Sequence, residues 1–118
     1  MARDADLLQG SLDLLVLKTL TLGPLHGWGL SRRIRDLSDQ VFTIGQGSLY
    51  PALYRLEERG MISAAWGVSP EGRRAKFYAL TPEGRRAFAA QRSEWRLFSG
   101  AVESVLRATP ASLALEGL

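Results

Sequence analysis

Leucines and other apolar residues recur at three- and four-residue steps through the first sixty positions. They then give way to short bulky runs, and finally return to helical spacing. Residues 12–22 carry Leu12, Leu14, Leu15, Val16, Leu17, Leu20 and Leu22 behind Ser11, a residue able to cap a helix. On a helical wheel they leave only a narrow polar strip near Asp13 and Lys18. A helix apolar nearly all round must be covered on two sides. Its own domain supplies one cover, and a second subunit is the simplest source of the other. Gly23 and Pro24 then break the chain. A second helix is expected over 27–38, with Leu30, Ile34 and Leu37 facing inward and Trp28, Arg32 and Arg35 on the opposite face.

An irregular stretch follows, in which Gly45 and Gly47 flank Gln46. The third helix is expected to start at Gly47 or Ser48, which places Pro51 in its first turn, where proline is tolerated. Leu49, Leu53 and Leu56 should face the core, while Tyr50, Tyr54, Arg55 and Glu58 face out. Gly60 stands where a left-handed residue closes a helix. Residues 61–68 and 75–80 are short and bulky on either side of a Ser-Pro-Glu-Gly-Arg turn, and so form a β-hairpin. Thr81 and Pro82 read as an N-cap with proline at the first helical position, opening a last helix over 82–107. Phe88, Gln91, Trp95, Phe98, Val102 and Val105 alternate in three- and four-residue steps along it, the spacing of a coiled-coil seam. Residues 1–10 are expected to be a loose arm or a first half-turn, and 108–118 a frayed tail.

Composition removes whole classes of function. The chain has 118 residues, no cysteine and one histidine. Disulfide frameworks, thiolate metal sites and cysteine nucleophiles are excluded together, and acid–base sites are poorly supplied. No catalytic residues, metal ligands or cofactor are therefore expected, and an enzyme has no feature to support it. Residues 12–25 are too short and too polar to span a bilayer, and no secretory signal pattern opens the chain, so a cytoplasmic protein is expected. The net charge is only +3, but the cations are nearly all arginine and clustered: Arg32, Arg33 and Arg35; Arg73, Arg74 and Lys76; Arg85 and Arg86. Such clusters point to a polyanion.

Three helices followed by a hairpin make a mainly α fold with a β-hairpin wing, a winged helix-turn-helix. It spans residues 1–81 and carries a long C-terminal dimerisation helix over 82–107. The start of the third helix offers Gln46, Ser48, Tyr50 and backbone N–H groups to phosphates and base edges, with Tyr54 and Arg55 further along the same helix. Arg73, Arg74 and Lys76 crowd the hairpin, where long cations reach a flanking groove, and Arg32 adds a phosphate contact from the second helix. The partner that fits is double-stranded DNA.

At these same positions the chain resembles the PadR-type transcriptional regulators. Ser48-Leu-Tyr-Pro-Ala-Leu-Tyr-Arg-Leu-Glu-Glu-Arg-Gly-Met-Ile62 is similar to their signature stretch. Leu25-His-Gly-Trp-Gly-Leu30 resembles the start of their second helix, with Trp28 where a tyrosine is commoner. Gly72-Arg-Arg-Ala-Lys-Phe-Tyr-Ala-Leu-Thr81 resembles their wing, and Pro82-Glu-Gly84 the start of their last helix. The likeness covers residues 7–107, and the opening Leu7-Leu-Gln-Gly-Ser-Leu-Asp-Leu-Leu15 is similar to an acidobacterial-type group with a single C-terminal helix. The resemblance implies a homodimeric DNA-binding repressor joined through its first and last helices, by Leu14, Leu17, Phe88, Trp95, Phe98, Val102 and Val105. In some short members a tryptophan at the place of Trp95 lines a cavity between subunits, which implies a small apolar or aromatic effector.

Other residues carry plainer expectations. Trp28 and Trp66 should pack, with Trp28 on the DNA side; His26 should cap a helix; Glu57 and Glu58 diverge on their helix and should be solvated. The rival function is a winged-helix module for protein–protein contact, its basic wing on an acidic partner without sequence-specific DNA binding.

Overall fold

A computed structural model describes residues 11–115. The elements in chain order are α1 (Leu12–Thr21), β1 (Leu25–His26), α2 (Gly27–Leu37), α3 (Gln46–Glu58), β2 (Ile62–Val68), β3 (Arg74–Leu80), α4 (Pro82–Leu106) and α5 (Pro110–Leu115). The strands form one antiparallel sheet in the order β1-β3-β2. The chain divides into two compact units, one running to Phe88 and the other from Ala89 on.

The core of the first unit is built from helical faces and two strands. Leu12, Val16, Leu17 and Leu20 of α1 meet Leu30 and Ile34 of α2, Leu49, Ala52, Leu53 and Leu56 of α3, and Ile62 and Tyr78 of the sheet. Burying each large side chain contributes roughly 1.5–3 kcal/mol. Thr19, the buried polar residue of α1, turns its hydroxyl back onto the Leu15 carbonyl at 2.7 Å, so no donor is stranded. This core claims most of the apolar ring of α1. Leu17 is wholly buried inside its own chain, so it is corrected from a subunit contact to a core residue; Leu14 stays half-exposed.

The helix ends follow local chemistry. Gly60 adopts φ 75° after α3, and the Met61 and Gly60 N–H groups donate to the Leu56 and Glu57 carbonyls at 2.9 and 3.0 Å, satisfying two terminal acceptors. The hairpin turns through Pro70, Glu71 and Gly72, with Gly72 at φ 82°; the Gly72 N–H donates to the Ser69 carbonyl and the Ser69 N–H to the Arg73 carbonyl. The hydroxyl of Thr81 accepts from the Gly84 N–H at 3.0 Å and donates to the Gly60 carbonyl at 2.6 Å. One side chain thus caps α4 and ties it to the end of α3. A Cβ on Gly84 would collide with the Met61 carbonyl, so only glycine permits this approach.

Several expectations shift. α3 begins at Gln46 behind Gly45, so Pro51 sits one turn inside the helix and leaves the Gly47 carbonyl without its usual i+4 donor. Leu37 is exposed, because the core position at that end is taken by Ile44, with Phe42 packed beside it. β1 adds a third strand, Leu25 and His26 pairing with Tyr78 and Phe77. The tail forms the short helix α5 where a frayed end was expected. Thr109 and Pro110 repeat the start signal of Thr81 and Pro82, with the Ser112 N–H donating to the Thr109 carbonyl at 2.9 Å. The arm over 1–10 and the opening stretch from Leu7 lie outside the described residues, apart from positions 11–15.

Candidate nucleic-acid interface

A groove of about 830 Å³ opens between the start of α2, the start of α3 and the wing. Its lining joins Tyr50 of α3 to Arg73, Arg74 and Lys76 of the hairpin, four side chains named from sequence. It adds Trp28, expected on the DNA side, together with His26 and Trp66, which were expected only to cap and to pack.

The floor is set by a close approach. His26 caps α2, its Nδ1 accepting from the Gly29 N–H at 2.9 Å, as expected for a histidine in that position. Gly27 follows, and any Cβ there would strike the Tyr50 hydroxyl, so the phenol of Tyr50 lies against the first residue of α2. Tyr50 is therefore anchored at its tip while its flank remains exposed. Tyr78 lies deeper; burial, with Tyr50 and Glu57 adding to it, raises its phenol above the ordinary value of 10.0.

The wing side is cationic and aromatic. In the β2–β3 register Trp66 faces Lys76 and Val68 faces Arg74, which places all four on one face of the hairpin. The Arg74 guanidinium stacks 4.7 Å from the Trp66 ring centroid. The Lys76 ammonium lies 3.6 Å from a Glu57 carboxylate oxygen, which corrects Glu57 from a merely solvated residue to the partner of the wing lysine. Trp66 is corrected too. It is exposed on the strand rather than packed: alternation puts it on the face of Ile62 and Ala64, but the core covers only that end of β2, and at Trp66 and Val68 the hairpin has run beyond it.

Other predicted contacts lie outside the groove lining. Gln46 and Tyr54 are exposed on α3 and Ser48 is half-buried in its first turn. Arg32 stacks 5.0 Å from the Trp28 ring centroid. Arg55 turns toward α1 and pairs with Asp13 at 3.2 Å, a half-exposed bridge that orients α3 on α1. In the unit from Ala89 on, Trp95, Phe98, Val102 and Val105 are exposed along α4, with Trp95 and Phe98 ring centroids 6.0 Å apart. Phe88, expected on that seam, instead packs partly against the core of the first unit. Among the described residues no helix is long and apolar enough to cross a membrane, and no cluster of acidic or histidine side chains is arranged to hold a metal.

Helices α1 to α3 with a basic hairpin beside α3 define a winged helix-turn-helix, a DNA-binding fold of transcriptional regulators. The chain belongs to the transcriptional regulator PadR-like family, whose model matches residues 16–90. It is similar to the solved structure of a transcriptional regulator from Clostridium thermocellum, at 30% identity, with 84% of this chain and 96% of that one covered and a TM-score of 0.76. A padr family transcriptional regulator from Eggerthella lenta is 29% identical over 88% of each chain, with a TM-score of 0.72. A PadR-like transcriptional regulator from Bacillus cereus, at 23% identity, shares the fold at a TM-score of 0.77 over 88% of this chain and 99% of that one. All three of these solved relatives are transcriptional regulators.

Proposed function

We propose that this PadR-family regulator is a homodimeric repressor that reads an inverted-repeat operator, with α3 in the major groove and the wing on the neighbouring backbone or minor groove. The observation that carries the reading is the shared cationic and aromatic face of Tyr50, Arg73, Arg74 and Lys76 in one groove beside α3. Gln46, Ser48 and Tyr54 extend that face along α3, and Arg32 extends it along α2. Arg55 serves it by holding α3 on Asp13. Two-fold symmetry sets half-sites about one or two turns apart, roughly 34 Å per turn.

The dimer forms through α4, by Trp95, Phe98, Val102 and Val105, with Leu14 of α1 as a further contact. Apolar side chains this exposed on one helix support a partner surface. Trp95, half-exposed beside Phe98, is the place for a small flat apolar effector. The protein acts in the cytoplasm.

Binding to the duplex just upstream of its own gene, compared with a scrambled duplex, tests the reading. Affinity should fall with salt at a log–log slope of about −5 to −9, as for six to ten neutralised phosphates. Tyr50→Ala should narrow the operator-to-scrambled ratio, at a cost of about 1–2 kcal/mol on the operator. The double change Arg73→Ala and Arg74→Ala should weaken both duplexes alike. A flat salt profile with equal affinity for both duplexes favours the protein-contact module instead.

A further inference from the structure

Two half-exposed tryptophans line one groove, and each has its own arginine. Trp28 carries Arg32 and Trp66 carries Arg74, yet the residues remain 54% and 62% exposed. Exposed aromatic surface of this kind in a concave site marks a ligand. Duplex DNA satisfies the cations of the groove through its phosphates, but it leaves the indoles unmatched. Its bases are stacked on one another and offer edges, not faces. The indoles call for a ligand with a free ring face.

The charge of the lining says what that ligand carries. Arg73, Arg74 and Lys76 face a single lining carboxylate, Glu71, and Lys76 is already engaged by Glu57. Arg73 and Arg74 remain to meet an anion. A guanidinium stacked on an indole keeps its N–H edge available for a bidentate grip on phosphate. The volume of about 830 Å³ is within the range of small-molecule sites.

We infer that this groove binds a free purine nucleotide, its base against Trp66 and its phosphate on Arg73 and Arg74, and that nucleotide and duplex DNA exclude each other there. The site stands on the groove itself; only the exclusion rests on the reading of α3 and the wing as the DNA face.

Titration of the full chain with GMP, followed by tryptophan fluorescence and calorimetry, tests this, with guanosine and inorganic phosphate as controls. GMP should quench saturably, and each control should bind at least about tenfold more weakly. Trp66→Ala and Arg74→Ala should each weaken GMP about tenfold at an unchanged thermal unfolding midpoint, while Glu94→Gln, at an exposed position of α4, leaves the affinity as it was. Saturating GMP should raise the dissociation constant for duplex about tenfold, and duplex should weaken GMP by the same factor. No saturable binding of GMP, or equal binding of inorganic phosphate, overturns the site. Full GMP affinity in both Trp66→Ala and Arg74→Ala overturns it as well. GMP binding without effect on duplex affinity overturns the exclusion. A chain that takes GMP and binds no duplex overturns the DNA reading and leaves the site standing.

Discussion

The two units of this chain use the same kinds of apolar side chain to opposite ends. Up to Phe88, leucines and isoleucines converge: Leu17, Leu30, Leu53 and Leu56 are at most 1% exposed. From Ala89 on they do not: Leu97 is 78% exposed, Phe98 63% and Leu106 71%. The first unit closes on itself, because three helices and a sheet present faces to each other. The second has one long helix and one short one, and a lone helix has nothing to close on. Apolar content therefore does not distinguish a buried face from an exposed one; the number of elements available to cover it does.

The sharpest break in that contrast comes from the core. Leu53→Ala should lower the unfolding free energy by about 2–5 kcal/mol, through lost burial and a residual cavity. Phe98→Ala should change the stability of the diluted chain by less than about 0.5 kcal/mol. Chemical denaturation of both variants at low concentration checks the pair, and equal losses would erase the distinction between the units.

Next in size is the effect on association. Val102→Asp places a carboxylate on the exposed stripe of α4 and should raise the dimer dissociation constant about a hundredfold or more. Sedimentation at micromolar concentration should show two subunits for the parent and one for the variant, with far-ultraviolet circular dichroism unchanged. A parent that sediments as one subunit removes the proposed interface.

A smaller effect sits at the start of α4. Thr81→Ala removes both bonds of the capping hydroxyl and should cost about 0.5–2 kcal/mol, with Thr81→Ser restoring most of it. Thermal unfolding of the three proteins measures this.

The smallest effect is alkaline. The Tyr78 phenol is raised above 10.0 by burial first, then by Tyr50 and Glu57, so the folded state holds its proton more tightly than the unfolded chain. Stability is then fully present below the ordinary phenol value and is lost as pH climbs through the raised one. Tyr78→Phe should flatten that alkaline loss, followed by phenolate absorbance and denaturation together.

Most of the first unit was legible because its signals are local. Leucine spacing marks α1 and α3, Gly60 and Thr81 mark ends that side chains or left-handed backbone define, and the turn residues mark the hairpin. What escaped depends on partners distant in sequence. β1 is two residues long and exists only because Tyr78 and Phe77 lie beside it. The start of α3 was misplaced because its N-cap is Gly45, which has no side chain to announce it. Leu17 and Leu14 look alike on a helical wheel, and only the packed core separates them. In the groove, Tyr50 and the wing cations were legible from type and position. Trp66 was not: strand alternation puts it on the face of Ile62 and Ala64, and nothing local marks where the hairpin outruns the core. The helix at Pro110 was missed even though its signal matches that at Pro82.

The joint around Thr81 bears on how such a protein can vary. The Thr81 N–H donates to the Met61 carbonyl at 3.1 Å, which closes the base of the hairpin at the point where α3 ends and α4 begins. Gly60, Met61, Thr81 and Gly84 form a knot with no slack for an inserted residue, since a single methyl group on Gly84 already meets backbone. The hairpin tip at Pro70 and Glu71 hangs from that knot by two paired strands and carries none of its bonds. Length can therefore be added or removed at the tip without disturbing the knot. The reach of the wing is a free dimension of the design, while the angle at which α3 meets the first turn of α4 is a fixed one.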